Sequence, residues 1–158
     1  MEIRLAQPQD VPGILALLKQ IGSLHHQGRP DLFRANAQKY SASQILNILD
    51  SVTNPIYVAV EDSKILGYGF CMMKTYFHDP VIGDHTTLYI DDLCVDEQHR
   101  HRGIGKALYQ KILGFARLHN CHNVTLNVWC CNPDAIAFYE SLGLTPQKIG
   151  MEAVLEEH

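Results

Sequence analysis

The stretch Arg100-His101-Arg102-Gly103-Ile104-Gly105-Lys106 follows an apolar run from Leu88 to Val95 and precedes a helical pattern. Its two glycines let the backbone approach a ligand closely, and the unpaired N–H groups of a first helical turn attract anions. The stretch is rich in cationic and titratable side chains, although the whole chain has a formal net charge of -4. It therefore predicts a phosphate-binding turn at a helix start, with a solvated basic helix start as the alternative.

Neither of two common nucleotide-binding motifs fits this turn. A Walker-type loop would need a glycine at Arg100 and a serine or threonine at Ala107. A dinucleotide fingerprint would need a third glycine at Leu108 and an acidic residue about 20 positions further on, and the sequence has neither. The phosphate ligand is therefore of another kind.

The turn resembles the pyrophosphate signature Gln/Arg-x-x-Gly-x-Gly/Ala of the GNAT superfamily of acyl-CoA-dependent N-acetyltransferases. Arg100, Gly103 and Gly105 hold the three fixed positions. A second stretch is Asn132-Pro133-Asp134-Ala135-Ile136-Ala137-Phe138-Tyr139-Glu140-Ser141-Leu142-Gly143-Leu144. It resembles the family pattern Asn-x-x-Ala-x-x-Phe-Tyr-x-x-x-Gly-Phe, with Leu144 in place of the last aromatic residue. The element order resembles the family over roughly residues 1–155.

The resemblance implies an α+β fold, in which helices flank a mixed, mostly antiparallel sheet with a splayed parallel strand pair. Hydrophobic periodicity and turn residues agree with this fold class. They predict helices from about Asp10 to Gly22, at Ser43–Leu49, at Ile104–Leu118 and from the cap Asn132 to Gly143. Strands are predicted at residues 1–5, 56–60, 65–76, 87–95, 124–129 and 146–155.

Length and composition limit the classes of protein that fit. The 158 residues, 46% of them hydrophobic, predict one N-acetyltransferase domain over residues 1–158. No apolar run approaches the roughly 20 residues of a membrane span, and the start lacks a signal-peptide pattern. We therefore expect a cytoplasmic protein without a membrane partner. Five cysteines without a Cys-x-x-Cys spacing favour reduced thiols.

The net charge of -4 argues against nucleic acid as a partner and is compatible with a cationic amine substrate. A homodimer is also compatible with the sequence.

The resemblance implies that acetyl-CoA is the acyl donor and that backbone groups bind it. Leu93, Cys94 and Val95 would hydrogen-bond the pantetheine arm, as an added strand does. The N–H groups from His101 to Lys106 would hold the pyrophosphate. Asn132 has two equal interpretations, a cofactor contact or a helix cap.

Two adjacent carboxylates in the cofactor strand are the candidates for proton transfer. The attacking amine must be neutral, although an alkyl amine has a pKa of about 10.4, so a base or a water chain to one is needed. Residues Leu88–Leu93 resemble the segment of spermidine/spermine acetyltransferases in which a glutamate at the position of Asp91 acts as base. Alternation sends Asp91 and Asp92 to opposite faces unless a bulge intervenes. We expect Asp91 to be the base or relay and Asp92 to contact substrate, and their division of roles stays open.

The remaining candidates concern the leaving group and the acceptor pocket. Tyr139 occupies the family's general-acid position, and its phenol, with an ordinary pKa of about 10, keeps its proton at neutral pH. His26 is a candidate for lining the acceptor pocket. No histidine has the carboxylate or cysteine neighbours of a zinc site, so we expect no metal. No activated thiol is evident at Cys130-Cys131, which favours direct transfer in a ternary complex.

The sequence thus predicts an acetyl-CoA-dependent N-acetyltransferase that acts on a small amine, a lysine-like side chain or a peptide N-terminus. The alternative is a catalytically silent acyl-CoA-binding protein that regulates a partner. The acceptor and the acyl-chain preference stay open.

Overall fold

The chain divides into two units, Met1–Asn127 and Val128–His158, in a computed structural model that describes residues 1–155. The single N-acetyltransferase domain expected over residues 1–158 stays a prediction. Within residues 1–155, no helix combines the length and apolarity needed to cross a bilayer.

The first unit is built on a five-stranded sheet whose strands lie in chain order. The strands are β1 (Glu2–Leu5), β2 (Ile56–Glu61), β3 (Lys64–Tyr76), β4 (His85–Val95) and β5 (Asn123–Leu126). Neighbours are antiparallel except β4 and β5, which are parallel. The expected α+β fold with a mixed, mostly antiparallel sheet is confirmed.

Three helices accompany this sheet, namely α1 (Val11–Gly28), α2 (Ala42–Leu49) and α3 (Ile104–Leu118). On one face, Ile14 of α1 and Ile45 of α2 join the aromatic side chains of β3 in the main core cluster. On the other face, α3 packs closely against β3. A Cβ added to Gly69 of β3 would come within 2.9 Å of the Ile112 side chain of α3. Strand β3 is therefore buried on both faces, which agrees with its nearly continuous apolar sequence.

Helix α1 extends to Gly28, and its expected end at Gly22 is wrong. Gly22 lies inside the helix, where a Cβ would come within 2.5 Å of the Ala37 carbonyl oxygen. The glycine thus permits close approach of the following segment rather than ending the helix. The helix ends where Arg29 N–H donates to the His25 carbonyl at 2.9 Å.

A β-bulge in β4 is the feature that most affects the site. Phe70 of β3 pairs with Asp92, and the next residue, Cys71, pairs with Ile90. Asp91 is therefore the extra residue of the bulge. A bulge is the condition under which Asp91 and Asp92 can share one face of the sheet, and their contacts with Tyr40 and Tyr68 agree with this.

The second unit contains α4 (Pro133–Ser141), whose ends match the sequence pattern. The Asn132 side chain accepts a hydrogen bond from Ala135 N–H at 3.2 Å, which confirms its role as the helix cap. Gly143 follows the helix with a φ of 93°, as expected of a helix-stopping glycine. The strand expected at residues 146–155 is not formed, since residues 144–155 contain neither helix nor strand.

Candidate acetyl-transfer site

Two carboxylates of the bulge each accept a hydrogen bond from a tyrosine. Tyr40 donates its hydroxyl to Asp91 Oδ2, and Tyr68 donates to Asp92 Oδ2 at 3.0 Å. Both tyrosine rings pack on Phe70, with centroid distances of 5.0 Å for Tyr40 and 5.1 Å for Tyr68. The shared contact with Phe70 places Asp91 and Asp92 on one face of the sheet.

A lysine ammonium lies against the same pair. Lys39 Nζ is 3.1 Å from Asp91 Oδ1 and donates to the Asp91 backbone oxygen at 3.1 Å. Helix α2 begins just after Tyr40 with a capping box, in which Ser41 N–H donates to Gln44 Oε1 at 2.8 Å. The cap fixes the end of the segment that carries Lys39 and Tyr40.

Asp92 is the carboxylate whose proton affinity is most altered. Burial raises its pKa to about 6, against the lowering effects of the Tyr68 hydroxyl and the Lys39 ammonium, and the Asp91 charge raises it further. Burial also raises the pKa of Tyr68 well above its ordinary value, so this hydroxyl remains a donor. Asp92 can therefore exchange a proton close to neutral pH.

The edge of β4 that follows the bulge has a neighbouring strand on one side only. β5 pairs with Thr87–Ile90 and extends no further, whereas Leu93, Cys94 and Val95 pair with β3. Among residues 1–155, no strand pairs with the other edge of these three residues. Their backbone groups on that side fit an extended ligand that adds to the sheet as a strand does. The Cys94 side chain is buried, with Sγ 3.8 Å from the Leu17 carbonyl oxygen, so it belongs to the core.

The turn before α3 has the backbone conformation of an anion site. Gly103, the cap residue, has a φ of 77°, and His101 has a φ of 65°. No side chain caps this helix, and a Cβ on Gly103 would meet no atom within 4 Å. No side chain therefore occupies the N-terminus of α3, where helices bind phosphate groups through their first N–H groups. The Arg102 guanidinium lies 3.1 Å from Glu61 Oε2, so this side chain has a partner within the protein.

The acetyltransferase (GNAT) family model matches residues 23–144. The chain belongs to this family.

Curated relatives of this GNAT protein are N-acetyltransferases with different acceptors. The N-acetylaspartate synthetase of Danio rerio is 30% identical over 112 residues, which are 66% of this chain and 40% of that protein. The chain thus spans about 40% of the length of these synthetases. The glucosamine 6-phosphate N-acetyltransferase of Trypanosoma brucei brucei is 24% identical over 148 residues, 90% of this chain and 88% of that protein.

Solved structures agree on the fold. A mutant of the BH1408 protein from Bacillus halodurans has a TM-score of 0.94 at 32% identity, covering 99% of this chain and 100% of that chain. An aminoglycoside N-acetyltransferase in complex with CoA has a TM-score of 0.74 at 13% identity, covering 98% of this chain and 99% of that chain. The second likeness shows the GNAT fold alone.

The sequence missed three side chains of the site, namely Lys39, Tyr40 and Tyr68. Lys39 and Tyr40 lie in a polar segment without periodicity, and their sequence separation of more than 50 residues from Asp91 gives no local signal. Tyr68 looks like an ordinary core residue until the strand register places it near Asp92. Only the tertiary fold brings these groups together.

The structure locates the other expected residues without testing their roles. His26 Nδ1 is 2.7 Å from the Phe33 carbonyl oxygen, and its contact with substrate stays a prediction. Burial, and after it the Lys39 charge, lowers the pKa of His25. In the second unit, the Tyr139 ring meets Phe138 edge-on at 5.2 Å. Within the described residues, no group of three histidine, cysteine or acidic side chains is arranged to hold a metal ion.

Proposed function

We propose that the chain is an acetyl-CoA-dependent N-acetyltransferase that acetylates a primary amine by direct transfer. The observation that carries this proposal is the contact between the Lys39 ammonium and Asp91. The neighbouring carboxylate, Asp92, has a pKa of about 6 and directly precedes the open edge of β4. Bound acetyl-CoA supplies the thioester carbonyl that the amine attacks. The same proposal covers the acceptor, which is an amine on a small molecule or on a peptide.

The donor side uses backbone groups. The open edge at Leu93, Cys94 and Val95 hydrogen-bonds the pantetheine arm, and the N–H groups from His101 to Lys106 hold the pyrophosphate. Arg100 adds positive charge near this turn. Asn132 contributes to donor binding by fixing the start of α4, because its side chain is used as the cap.

The acceptor side uses the carboxylate pair. The Lys39 contact supports binding of a primary ammonium at Asp91, and the acceptor ammonium takes this position when it displaces Lys39. Because burial raises the pKa of Asp92 to about 6, we assign it proton acceptance, directly or through water, and we assign Asp91 the ion pair. This division reverses the sequence-based expectation.

Tyr139 supplies the proton for the leaving thiolate in this proposal. After Asp92 has taken the first proton of the acceptor ammonium, the amine nitrogen forms its bond to the acetyl carbon, the carbon–sulfur bond breaks, and the thiolate takes the phenolic proton. The second proton, which the nitrogen loses as it becomes an amide, restores the phenol of Tyr139. Burial raises the pKa values of the Cys71 and Cys94 thiols to about 12, which opposes a covalent cysteine intermediate at either position.

Release of free thiol from acetyl-CoA tests this function. The purified chain is incubated with an aliphatic diamine, a lysine peptide, glucosamine 6-phosphate or aspartate, and each product is checked by mass spectrometry. We expect amine-dependent thiol release with at least one cationic amine and an acetylated product. Acetyl-CoA binding without release on any amine of a broad panel would contradict the proposal and favour the silent acyl-CoA-binding alternative.

A Gly103→Ala substitution tests the phosphate turn. The left-handed conformation costs an alanine about 1–2 kcal/mol, so the turn shifts and its N–H groups no longer converge. We expect the KM for acetyl-CoA to rise about 5- to 30-fold with a small change in kcat. The matched control is Gly114→Ala in the middle of α3, where a Cβ would meet no atom within 4 Å. Equal effects of the two substitutions would contradict the role of the turn.

A Lys39→Met substitution tests whether Lys39 holds the place of the acceptor. Loss of the competing ammonium should lower the KM for a cationic amine about 3- to 10-fold in steady-state kinetics. The control is Lys19→Met, which removes an exposed lysine of α1. A higher KM in the Lys39 variant alone would show instead that Lys39 binds an anionic group of the acceptor.

A further inference from the structure

Lys39 is a primary amine of the chain itself, and it lies at the carboxylate pair to which we assign acceptor binding. Its Nζ is 3.1 Å from Asp91 Oδ1 and 3.1 Å from the Asp91 backbone oxygen. Its charge also acts on the neighbouring carboxylate, since it lowers the pKa of Asp92 against the effect of burial. The side chain therefore has the chemistry of the proposed acceptor and occupies the acceptor's proposed position.

The segment that carries Lys39 allows the ammonium to move. Residues 29–41, which connect α1 to α2, contain neither helix nor strand. The Lys39 side chain is 46% exposed, and a lysine stem has four carbons with rotatable bonds. The amine can thus leave Asp91 by rotation of its own side chain, while the helices and strands stay in place.

The proposed donor site determines which end of acetyl-CoA lies near Lys39, and the inference rests on the proposed function in this respect. The open edge of β4 runs from Leu93 to Val95, with Asp92 directly before it and the phosphate turn, residues 101–106, after it along the chain. A donor that lies extended along this edge with its pyrophosphate at the turn has its thioester at the opposite end, which is the bulge. Lys39 therefore lies at the acyl end of the donor.

We propose that the chain acetylates its own Lys39, within the same molecule, when no other amine occupies the acceptor site. The Lys39 ammonium gives one proton to the Asp92 carboxylate, and the neutral nitrogen then forms a bond to the acetyl carbon as the carbon–sulfur bond breaks. The second proton of the nitrogen ends on the thiolate sulfur, so the products are an amide at Lys39 and CoA with a free thiol. The amide has no charge and no longer forms the ion pair with Asp91.

Lys64 provides a matched comparison, because its ammonium also pairs with a carboxylate. Its Nζ is 3.7 Å from Asp96 Oδ2, and its side chain is 57% exposed. Asp96 follows Val95, at the phosphate end of the open edge. Uncatalysed acetylation depends on exposure and should reach Lys64 at least as fast as Lys39, whereas self-acetylation at the bulge should favour Lys39.

Peptide mass spectrometry after incubation with isotopically labelled acetyl-CoA, in the absence of any added amine, tests the proposal. We expect labelled acetyl on Lys39 to form at least about 10-fold faster than on Lys64, at a rate that does not depend on protein concentration over about a 100-fold range. The Asp92→Asn variant should modify Lys39 about 10²- to 10⁴-fold more slowly, and the Asp50→Asn control should match the wild type. An unlabelled acetyl group already on Lys39 of the purified wild type, and absent from the Asp92→Asn variant, would support the proposal equally.

The same incubation with a cationic amine separates this inference from the proposed function. A saturating amine should slow modification of Lys39 about 10-fold or more, because both amines compete for Asp91. Acetylation of the added amine while Lys39 stays unmodified throughout would overturn the inference and leave the proposed function intact. Equal rates at Lys39 and Lys64, or a rate at Lys39 that rises in proportion to protein concentration, would also overturn the inference. Transfer to neither Lys39 nor any added amine would overturn both.

Discussion

An Asp92→Asn substitution will lower kcat/KM for the amine acceptor about 10²- to 10⁴-fold, the usual range for loss of a general base. Asparagine matches the shape of aspartate and still accepts the Tyr68 hydroxyl hydrogen bond, so the packing around Phe70 should persist. The lost function is the proton acceptor itself. Steady-state kinetics at saturating acetyl-CoA measures this effect.

The same substitution should stabilise the folded protein at neutral pH. Burial raises the pKa of Asp92 from 3.8 to about 6, so the folded chain binds a proton that the unfolded chain releases between about pH 4 and pH 6. Stability therefore falls as the pH rises through this window. We expect the asparagine variant to gain up to about 3 kcal/mol at pH 7 and little at pH 4. Denaturant unfolding at the two pH values gives this difference.

The control for both effects is Asp50→Asn, which changes an exposed carboxylate at the end of α2. It should alter neither activity nor the pH dependence of stability. An Asp92→Asn enzyme with full activity would contradict the base assignment. In that case the Asp91→Asn variant would decide whether the sequence-based assignment of the base to Asp91 is the right one.

A Tyr139→Phe substitution will reduce kcat about 10²-fold or more while changing acetyl-CoA binding by less than about 3-fold. The variant removes one oxygen atom and keeps the ring that packs edge-on against Phe138. Without the phenol, no proton is supplied to the thiolate as the carbon–sulfur bond breaks. Single-turnover kinetics and equilibrium titration with acetyl-CoA separate the two quantities.

The control for the tyrosine is Tyr76→Phe at the end of β3, where the ring stacks on His85. Both variants should fold with similar thermal midpoints. Unchanged turnover in the Tyr139 variant would remove the general acid from the proposed mechanism. A large rise in the acetyl-CoA dissociation constant would instead make Tyr139 a binding residue.

The sequence predicts the local conformation of the proposed donor half, but not the contacts of the proposed acceptor half. The proposed donor binding depends on local features, such as Gly103 at a left-handed position and Asn132 at a helix start, and a short stretch of sequence is enough to recognise both. The acceptor half depends on the strand register. Asp92 meets Tyr68 across the sheet, and Lys39 reaches Asp91 from a segment without periodicity.

The wrong expectations share a physical cause, which is tertiary context. Glycine often ends a helix, yet the close packing of Ala37 against Gly22 explains why a glycine lies inside α1. The bulge at Asp91 has no sequence signature, because alternation predicts opposite faces for neighbouring residues of a regular strand.

The pH dependence of kcat for the wild-type chain and its Asp92→Asn variant, with the same cationic amine, is the most direct test of the proposed mechanism. The wild-type rate should fall as the pH drops through about 6, or somewhat lower when a cationic acceptor is bound, because protonated Asp92 cannot accept the proton of the amine. The variant should lose this limb and keep a low rate that follows only the ionisation of the amine. An acidic limb of the same shape and midpoint in both proteins would show that Asp92 is not the proton acceptor.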